Sequence, residues 1–269
     1  MDQSLISETD PAGSLLPAMQ FANVSMRFGA GSGMVRALED VSLDIPVGQF
    51  VSIVGRSGCG KSTLLRIVSG LLPATTGTVA VMGKDLVTYQ KDKRFGFVFQ
   101  DASLFPWKTA AQNVSLPLEI LGRGDASTRR ARAEELLNLV QLGGFADHYP
   151  AQLSGGMRQR VSIARALSYE PEILLMDEPF GALDEFTRRE MHDLLIGIWK
   201  RRPLTVMFVT HSLTEALHLS DRVVVMAPRP GRVRAVVDVA EPRPTNQAAR
   251  RSTAYLDQLT LLEGLLDEP

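Results

Sequence analysis

The sequence predicts an α/β fold in which a mostly parallel sheet is covered by helices on both faces. Short apolar runs alternate with helical patterns along most of the chain, which is typical of such a fold. A glycine-rich turn joins the apolar run Phe50–Val54 to a helical pattern at Lys61–Gly70. A second apolar run, Ile173–Met176, follows a predicted helix and ends in two carboxylates. Both runs have the composition of strands that are buried on two faces.

The beginning of the chain has a different pattern. Residues 1–17 are polar and punctuated by Gly and Pro, and we expect a disordered lead-in there. Apolar residues then alternate from Phe21 to Phe28 and again from Val35 to Ile45, with a turn at Gly29–Gly33 between them. This pattern predicts an N-terminal antiparallel β subdomain within a domain that spans residues 18–245.

The middle of the chain, from Ala110 to Leu142, is helix-biased. It predicts an α-helical subdomain inserted into the core at about residues 101–168. Further strands are predicted at 77–82, 95–99, 205–209, 222–226 and 232–239, and further helices at 156–167, 184–200 and 213–219. Leucines at helical spacing predict a C-terminal helical tail within residues 246–269.

Composition narrows the class of protein. The 269 residues are 45% hydrophobic and 22% charged, which excludes collagen-like, coiled-coil and low-complexity proteins. A formal net charge of −1 argues against a strong field for nucleic acid or an anionic membrane. The single cysteine, Cys59, fits a reducing compartment. No apolar stretch is long enough to span a bilayer and no secretory signal is evident, so we expect a cytoplasmic protein that reaches a membrane only through a partner.

A phosphate-binding motif follows the first buried strand. The segment Gly55–Ser62 fits the pattern G-x-x-x-x-G-K-[ST], in which glycines let the backbone aim N–H groups at phosphate oxygens. Lys61 is expected to reach the β- and γ-phosphates of a triphosphate, and the Ser62 hydroxyl to ligate Mg²⁺. The predicted nucleotide-binding residues of this segment are Gly55, Arg56, Ser57, Gly58, Cys59, Gly60, Lys61, Ser62 and Thr63.

The two carboxylates after the second buried strand have a matching chemistry. Asp177 suits the Mg²⁺ shell, directly or through water, and Glu178 suits general-base work on an attacking water. Taken alone, the segment could also be a surface turn with two solvated acids. Its combination with the phosphate loop favours the catalytic interpretation.

Four further motifs resemble those of the ATP-binding cassette (ABC) ATPases. Leu153–Arg160, with the sequence LSGGMRQR, resembles the signature motif, with Met157 where Gln is commonest. Gln100 resembles the glutamine of the Q-loop, Gly181–Asp184 resembles the D-loop, and His211 resembles the switch histidine. The motifs occur in the family's order over about residues 20–240, which identifies the core as an ABC ATPase fold.

The resemblance implies a mechanism. Such cassettes form head-to-tail pairs that hold two ATP molecules, each between the phosphate loop of one subunit and the signature of the other. Ser154 can cap the predicted helix at 156–167, and the two glycines after it leave backbone N–H groups open. The resemblance implies that Ser154, Gly155 and Gly156 bind the γ-phosphate in trans. It also implies catalytic roles for Lys61, Glu178, Gln100 and His211. Gln100 would sense the γ-phosphate and the metal, and His211 would hold the γ-phosphate and orient Glu178. Asp184 would act across the dimer interface.

An aromatic residue stacks on adenine in this family, and Phe28 is the candidate here. The usual residue is Tyr, and burial of Phe28 in the strand core is an equal alternative. Cys59 lies within the phosphate loop, and we expect its thiol to be exposed, with a pKa lowered by the helix terminus and Lys61.

Three segments resemble the nitrate, sulfonate and taurine group of bacterial importer ATPases, namely residues 100–114, 179–188 and 226–233. The apolar loop Leu104–Trp107 suits docking of a permease helix, with local packing under the loop as the alternative. The resemblance implies a homodimer on the cytoplasmic face of the cell membrane, integral-membrane permease subunits, an extracytoplasmic solute-binding protein and a small, anionic solute. No nucleic-acid partner is expected; a non-transport ABC ATPase acting on nucleic acid or the ribosome is the alternative, and a non-hydrolysing scaffold is a third.

Overall fold

The computed structural model describes residues 16–29, 31–91, 95–201, 204–240 and 252–267. Most of the expected lead-in, residues 1–15, lies outside this part of the chain, as does the start of the C-terminal tail. The chain divides into two compact units, residues 1–93 with 211–269 and residues 94–210.

Strands and helices alternate along the chain. The strands are β1 (Met19–Phe28), β2 (Val35–Ile45), β3 (Phe50–Gly55), β4 (Thr76–Val81), β5 (Lys84–Asp85), β6 (Phe95–Val98), β7 (Ile173–Asp177), β8 (Thr205–Val209), β9 (Arg222–Met226) and β10 (Val233–Asp238). The helices are α1 (Lys61–Val68), α2 (Leu86–Lys91), α3 (Ala110–Ile120), α4 (Ala126–Leu139), α5 (Gly155–Leu167), α6 (Glu185–Arg201), α7 (Leu213–Leu219) and α8 (Thr253–Asp267).

The N-terminal strands form an antiparallel sheet with the order β2-β1-β4-β5. Its register pairs Met19 with Ile45 on one side and with Val81 on the other. Met19, Phe21, Val24 and Met26 of β1 are buried, whereas Phe28 at its end is exposed. The register with β2 shifts between Phe21 and Arg27, where Asn23 has a φ of 50°. These irregularities explain why the alternation in the sequence is imperfect.

The same unit contains a parallel pair. All six residues of β3 are buried, and β3 pairs in parallel with β9, from Val51 beside Arg222 to Gly55 beside Met226. β10 runs antiparallel to β9 at the edge. On one face, α7 and α8 pack on these strands in a core cluster of Val54, Ala216, Leu217, Val223, Val225, Val239, Tyr255 and Leu262.

In the second unit, β6, β7 and β8 are parallel, and every residue of β7 and β8 is buried. The helix-biased stretch forms two helices, α3 and α4, because Gly122 and Gly124 take left-handed backbone angles between them. Side-chain caps fix where α3 and α4 begin. Thr109 forms a capping box with Gln112, and the Asp125 carboxylate accepts a hydrogen bond from Thr128 N at 2.8 Å, which lowers its pKa to about 2.

Sequence analysis did not predict two elements of the fold, α2 and β5. Helix α2 is short and has no apolar stripe, and β5 has only two residues. The signal that was available for α2 is Asp85, whose carboxylate accepts a hydrogen bond from Thr88 N at 2.9 Å. The predicted domain boundaries stay predictions.

Substitution of Leu262 tests the packing of α8. Leu262 is 0% exposed in the cluster of α7 and α8, whereas its neighbour Leu261 is 50% exposed. We expect Leu262→Ala to lower the free energy of unfolding by about 3 kcal/mol because it leaves a cavity. Leu261→Ala should stay within about 0.5 kcal/mol of wild type in the same urea titration. Equal losses for the two variants would contradict this packing.

Candidate active site

The phosphate loop connects β3 to α1 and depends on glycine at two positions. Gly58 and Gly60 have φ values of 75° and 96°, which other residues rarely adopt. A Cβ atom on Gly60 would lie 2.5 Å from Leu38 Cδ2 and 2.9 Å from the Ala37 carbonyl oxygen. The loop therefore turns tightly against β2, with no room for a side chain at residue 60.

Lys61 lies at the start of α1 and is only 4% exposed. Its Nζ donates hydrogen bonds to the carbonyl oxygens of Gly55, at 2.8 Å, and Arg56, at 3.4 Å. Carbonyl dipoles only partly compensate a charge that is removed from water, so an anion at this loop gains from the ammonium group. The first N–H groups of α1, which include those of Ser62 and Thr63, add a favourable helix terminus.

The prediction of an exposed thiol at Cys59 is wrong. Cys59 is 1% exposed, whereas Arg56, Ser57 and Gly58 on the same loop are exposed. Its Sγ lies 2.6 Å from the position that a Cβ atom on Gly55 would occupy. The thiol is therefore turned beneath the loop, against β3, rather than toward a nucleotide.

The acid pair lies at the carboxyl end of β7. Asp177 is the last residue of the strand and is 6% exposed, and Glu178 is half-buried. Glu178 N donates to the Val209 carbonyl oxygen at 2.9 Å, and Glu178 has a φ of 44°. A non-glycine residue with left-handed backbone angles costs about 1–3 kcal/mol, and such strained residues are typical of functional positions.

The signature segment forms the start of α5. Ser154 is exposed, and its Oγ accepts a hydrogen bond from Met157 N at 3.2 Å, which confirms the predicted helix cap. The two glycines that follow have different environments. Gly155 is exposed, whereas a Cβ atom on Gly156 would lie 2.5 Å from Thr187 Cγ2 of α6. Gly156 therefore permits a close contact between the beginnings of α5 and α6.

Asp184 holds Thr187, the residue that contacts Gly156. Its carboxylate accepts hydrogen bonds from Thr187 N at 3.0 Å and from Thr187 Oγ1 at 2.7 Å, and the backbone hydrogen bond is the main cause of its lowered pKa. Thr187, which sequence analysis did not single out, thus connects the D-loop residue Asp184 with the signature residue Gly156.

Helix α5 also holds the segment around Gln100. Gln100 is exposed just after β6, and Gln159 Nε2 donates to the adjacent Phe99 carbonyl oxygen at 3.1 Å. Arg165 donates to the carbonyl oxygens of Ala102 and Ser103, both at 2.8 Å, and burial lowers its pKa. Sequence analysis missed Gln159 and Arg165, because their carbonyl partners lie about 60 residues earlier in the chain.

The next loop residues present two aromatic rings. Trp107 is 69% exposed and Phe105 is 39% exposed, with ring centroids 5.4 Å apart in an edge-to-face arrangement. The buried side chain of Asn113 fixes this loop, since it accepts from Phe105 N at 2.8 Å and donates to the carbonyl oxygens of Phe105 and Lys108. Trp107 is therefore not buried beneath its own loop.

Two predicted site residues lie outside these groups. Phe28 is the last residue of β1, pairs with Val35 and is 41% exposed, so it is not part of the strand core. His211 is exposed two residues after β8. The structure thus assembles the phosphate loop, residues 55–63, in the first unit, where Phe28 and His211 also belong. In the second unit it places Asp177 beside Glu178 and connects Gly156 to Asp184 through Thr187.

A buried strand, a left-handed glycine loop and a helix whose first residue is a buried lysine define a phosphate-loop nucleotide-binding protein. The ABC transporter family profile matches residues 38–181. The taurine import ATP-binding protein TauB of Rhizobium johnstonii is 51% identical over 218 residues, 81% of this chain and 82% of that protein. The aliphatic sulfonates import ATP-binding protein SsuB of Bacillus cereus is 40% identical over 224 residues, 83% and 87% of the two chains.

A solved structure agrees with these matches. It is a dimeric, post-hydrolysis state of an ATP-binding cassette bound to ADP and Pi, with a TM-score of 0.75 at 38% identity, covering 83% of this chain and 99% of that chain. The chain belongs to the ABC transporter family, as an ATP-binding cassette ATPase. The resemblance and the fold class drawn from the motifs are thereby confirmed. None of the helices in the described part of the chain is long and apolar enough to cross a membrane.

Alkylation tests the position of the Cys59 thiol. Because Cys59 is the only cysteine and is buried, we expect a maleimide to label the folded protein at least an order of magnitude more slowly than the urea-unfolded protein. Mass spectrometry measures the rate, and Cys59→Ala gives the background. Equal labelling rates for folded and unfolded protein would show that the thiol is exposed and would contradict its burial.

The Asp184 carboxylate predicts a dependence of stability on pH. Since its pKa is lower in the folded protein than its ordinary value of 3.8, its contribution is present above that pH and is lost as the pH falls through the folded-state pKa. We expect Asp184→Ala to be less stable than wild type at pH 7, and the difference in Tm to shrink below about pH 4. Asp193→Ala, at an exposed position of α6, is the control. A difference that does not change with pH would contradict the assignment.

Proposed function

We propose that this chain is the ATP-binding subunit of a bacterial importer, which hydrolyses ATP in a dimer to drive uptake of a small solute. The ATPase part rests on the burial of Lys61. Its side chain is 4% exposed and lies at the N-terminus of a helix that follows a left-handed glycine loop. The importer part is supported by relatives that are named for the import of taurine and of aliphatic sulfonates.

In this proposal the first unit binds the phosphates. Backbone N–H groups of the loop, within residues 55–63, donate to the phosphate oxygens, and Lys61 neutralises charge on the β- and γ-phosphates. His211 holds the γ-phosphate. The exposed ring of Phe28 stacks on adenine, for which its exposed position at the end of β1 is suitable.

The second unit supplies the proton acceptor. Glu178 takes a proton from the water whose oxygen bonds to the γ-phosphorus, while the bond from that phosphorus to the bridging oxygen breaks and ADP leaves. The left-handed backbone of Glu178 is typical of functional positions. Gln100 lies on an exposed segment held by Gln159 and Arg165, which suits a side chain that senses the γ-phosphate.

Magnesium fits the residues that are present. Ser62, Gln100 and Asp177 offer hydroxyl, amide and carboxylate oxygens, which are the donors that Mg²⁺ prefers. Within the described residues there is no cluster of three or more His, Cys, Asp or Glu side chains, and Mg²⁺ sites that use substrate phosphates need only one or two carboxylates. When bound, the ion would neutralise phosphate charge.

The signature completes the site of a second copy. Ser154 and Gly155 are exposed at the N-terminus of α5, whose N–H groups suit an anion. The signature sequence carries no lysine or acid of its own between residues 153 and 157, so it serves as a partial site in trans. The similar cassette in a dimeric state bound to ADP and Pi supports a homodimer.

The partners outside the dimer follow from the aromatic loop. Phe105 and Trp107 form an exposed apolar surface on a loop fixed by Asn113, which suits a cytoplasmic helix of an integral-membrane permease. The subunit would then lie on the cytoplasmic face of the membrane and act indirectly with an extracytoplasmic solute-binding protein. Relatives named for taurine and sulfonates favour a small anionic solute. No observation favours action on nucleic acid or the ribosome.

The substitution Glu178→Gln tests the catalytic assignment. Because an amide cannot accept the proton, we expect ATP turnover to fall by ~10²–10⁴-fold, while dimers persist in MgATP. Phosphate release and size-exclusion chromatography measure the two effects. Glu263→Gln, at an exposed position on α8, should keep wild-type turnover. Unchanged turnover in Glu178→Gln would remove Glu178 from its proposed role.

A further inference from the structure

The last residue of β9 and the segment between β9 and β10 lie against the phosphate loop at three points. A Cβ atom on Gly55 would lie 3.0 Å from the Met226 carbonyl oxygen. Arg229 Nε donates a hydrogen bond to the Gly58 carbonyl oxygen at 3.1 Å. A Cβ atom on Gly231 would overlap the Cys59 carbonyl oxygen. The phosphate loop is thus in contact with this segment at Gly55, Gly58 and Cys59.

The contact with Arg229 fixes one peptide plane of the loop. The peptide between Gly58 and Cys59 has its carbonyl held by Arg229, and its N–H group donates to the Arg56 carbonyl oxygen at 3.2 Å. Both polar groups of this planar unit therefore have a partner. The next carbonyl, that of Cys59, lies against Gly231, which directs the N–H group of Gly60 to the opposite side of the loop.

The backbone of the segment that carries Arg229 is itself fixed by hydrogen bonds. Gly231 N donates to the Ala37 carbonyl oxygen at 3.0 Å, and Glu39 N donates to the Gly231 carbonyl oxygen at 3.0 Å. Ala227 N donates to the Arg232 carbonyl oxygen at 2.9 Å, which closes the turn that carries Arg229. Arg229 is exposed, so its role in the core is small and its contact with the loop can be tested separately.

We propose that Arg229 is a positioning residue of the phosphate loop, which sets the peptide between Gly58 and Cys59 and thereby the direction of the loop N–H groups. Arg229 acts through the backbone of the loop rather than on the nucleotide. This inference rests on the proposed function, because it assumes that the loop binds the phosphates of ATP.

The experiment compares full-length wild type with Arg229→Ala, Arg229→Lys and Arg232→Ala. Arg232 belongs to the same segment, but its guanidinium contacts Glu39 rather than the loop. The Kd values for MgATP and MgADP are measured by equilibrium dialysis, and the Tm of each nucleotide-free variant is measured in parallel. Both nucleotides are used because a loop that surrounds the β-phosphate should lose affinity for both.

We expect Arg229→Ala to raise both Kd values about three- to ten-fold, the effect of one lost hydrogen bond, with Tm unchanged. Arg229→Lys should restore binding to within about two-fold, since an ammonium group can donate to the same carbonyl. Arg232→Ala should bind as wild type. Kd values of Arg229→Ala within two-fold of wild type would overturn the inference, and so would equal losses in Arg229→Ala and Arg232→Ala. Wild type that binds neither nucleotide would overturn the proposed function itself, and this inference with it.

Discussion

The burial of a positive charge at Lys61 is the constraint on which the rest of the phosphate loop depends. An ammonium group that is 4% exposed must be surrounded by oxygen atoms, and here the nearest are backbone carbonyls of Gly55 and Arg56. Those carbonyls can turn inward only because the loop bends through left-handed glycines and packs on β2. The charge, the bend and the helix terminus then favour the same ligand, a polyphosphate.

Helix α5 has a similar organising position in the second unit. Its first turn carries the capped signature residues, and its later turns carry Gln159 and Arg165, which hold the segment that follows β6. A rigid helix thus connects the surface expected to meet a second copy with the segment expected to sense the γ-phosphate. The side chains of Gln159 and Arg165 are satisfied by backbone carbonyls, which holds the segment against the helix.

The sequence predicted the parts of the site whose chemistry is local. The glycine spacing of the loop, the Ser154 cap and the carboxylates after β7 each depend on residues within a few positions, so a motif is enough to find them. The burial of Cys59 was not predictable, because it depends on how Gly55 and the loop pack in three dimensions. The left-handed backbone of Glu178 has no sequence signal, since a glutamate gives no reason to expect it. Thr187 and Arg229 were missed because their partners, Gly156 and Gly58, are remote in sequence.

The close contact between Gly156 and Thr187 has a consequence for how this surface can change. The two residues share one volume, so a methyl group gained at position 156 must be matched by a methyl group lost at position 187. Thr187 also binds the Asp184 carboxylate through its hydroxyl, so only serine can give up the methyl group and keep that hydrogen bond. Glycine with threonine and alanine with serine would both fill the volume and keep the hydrogen bond, whereas alanine with threonine would overlap, so the two positions act as a single steric unit.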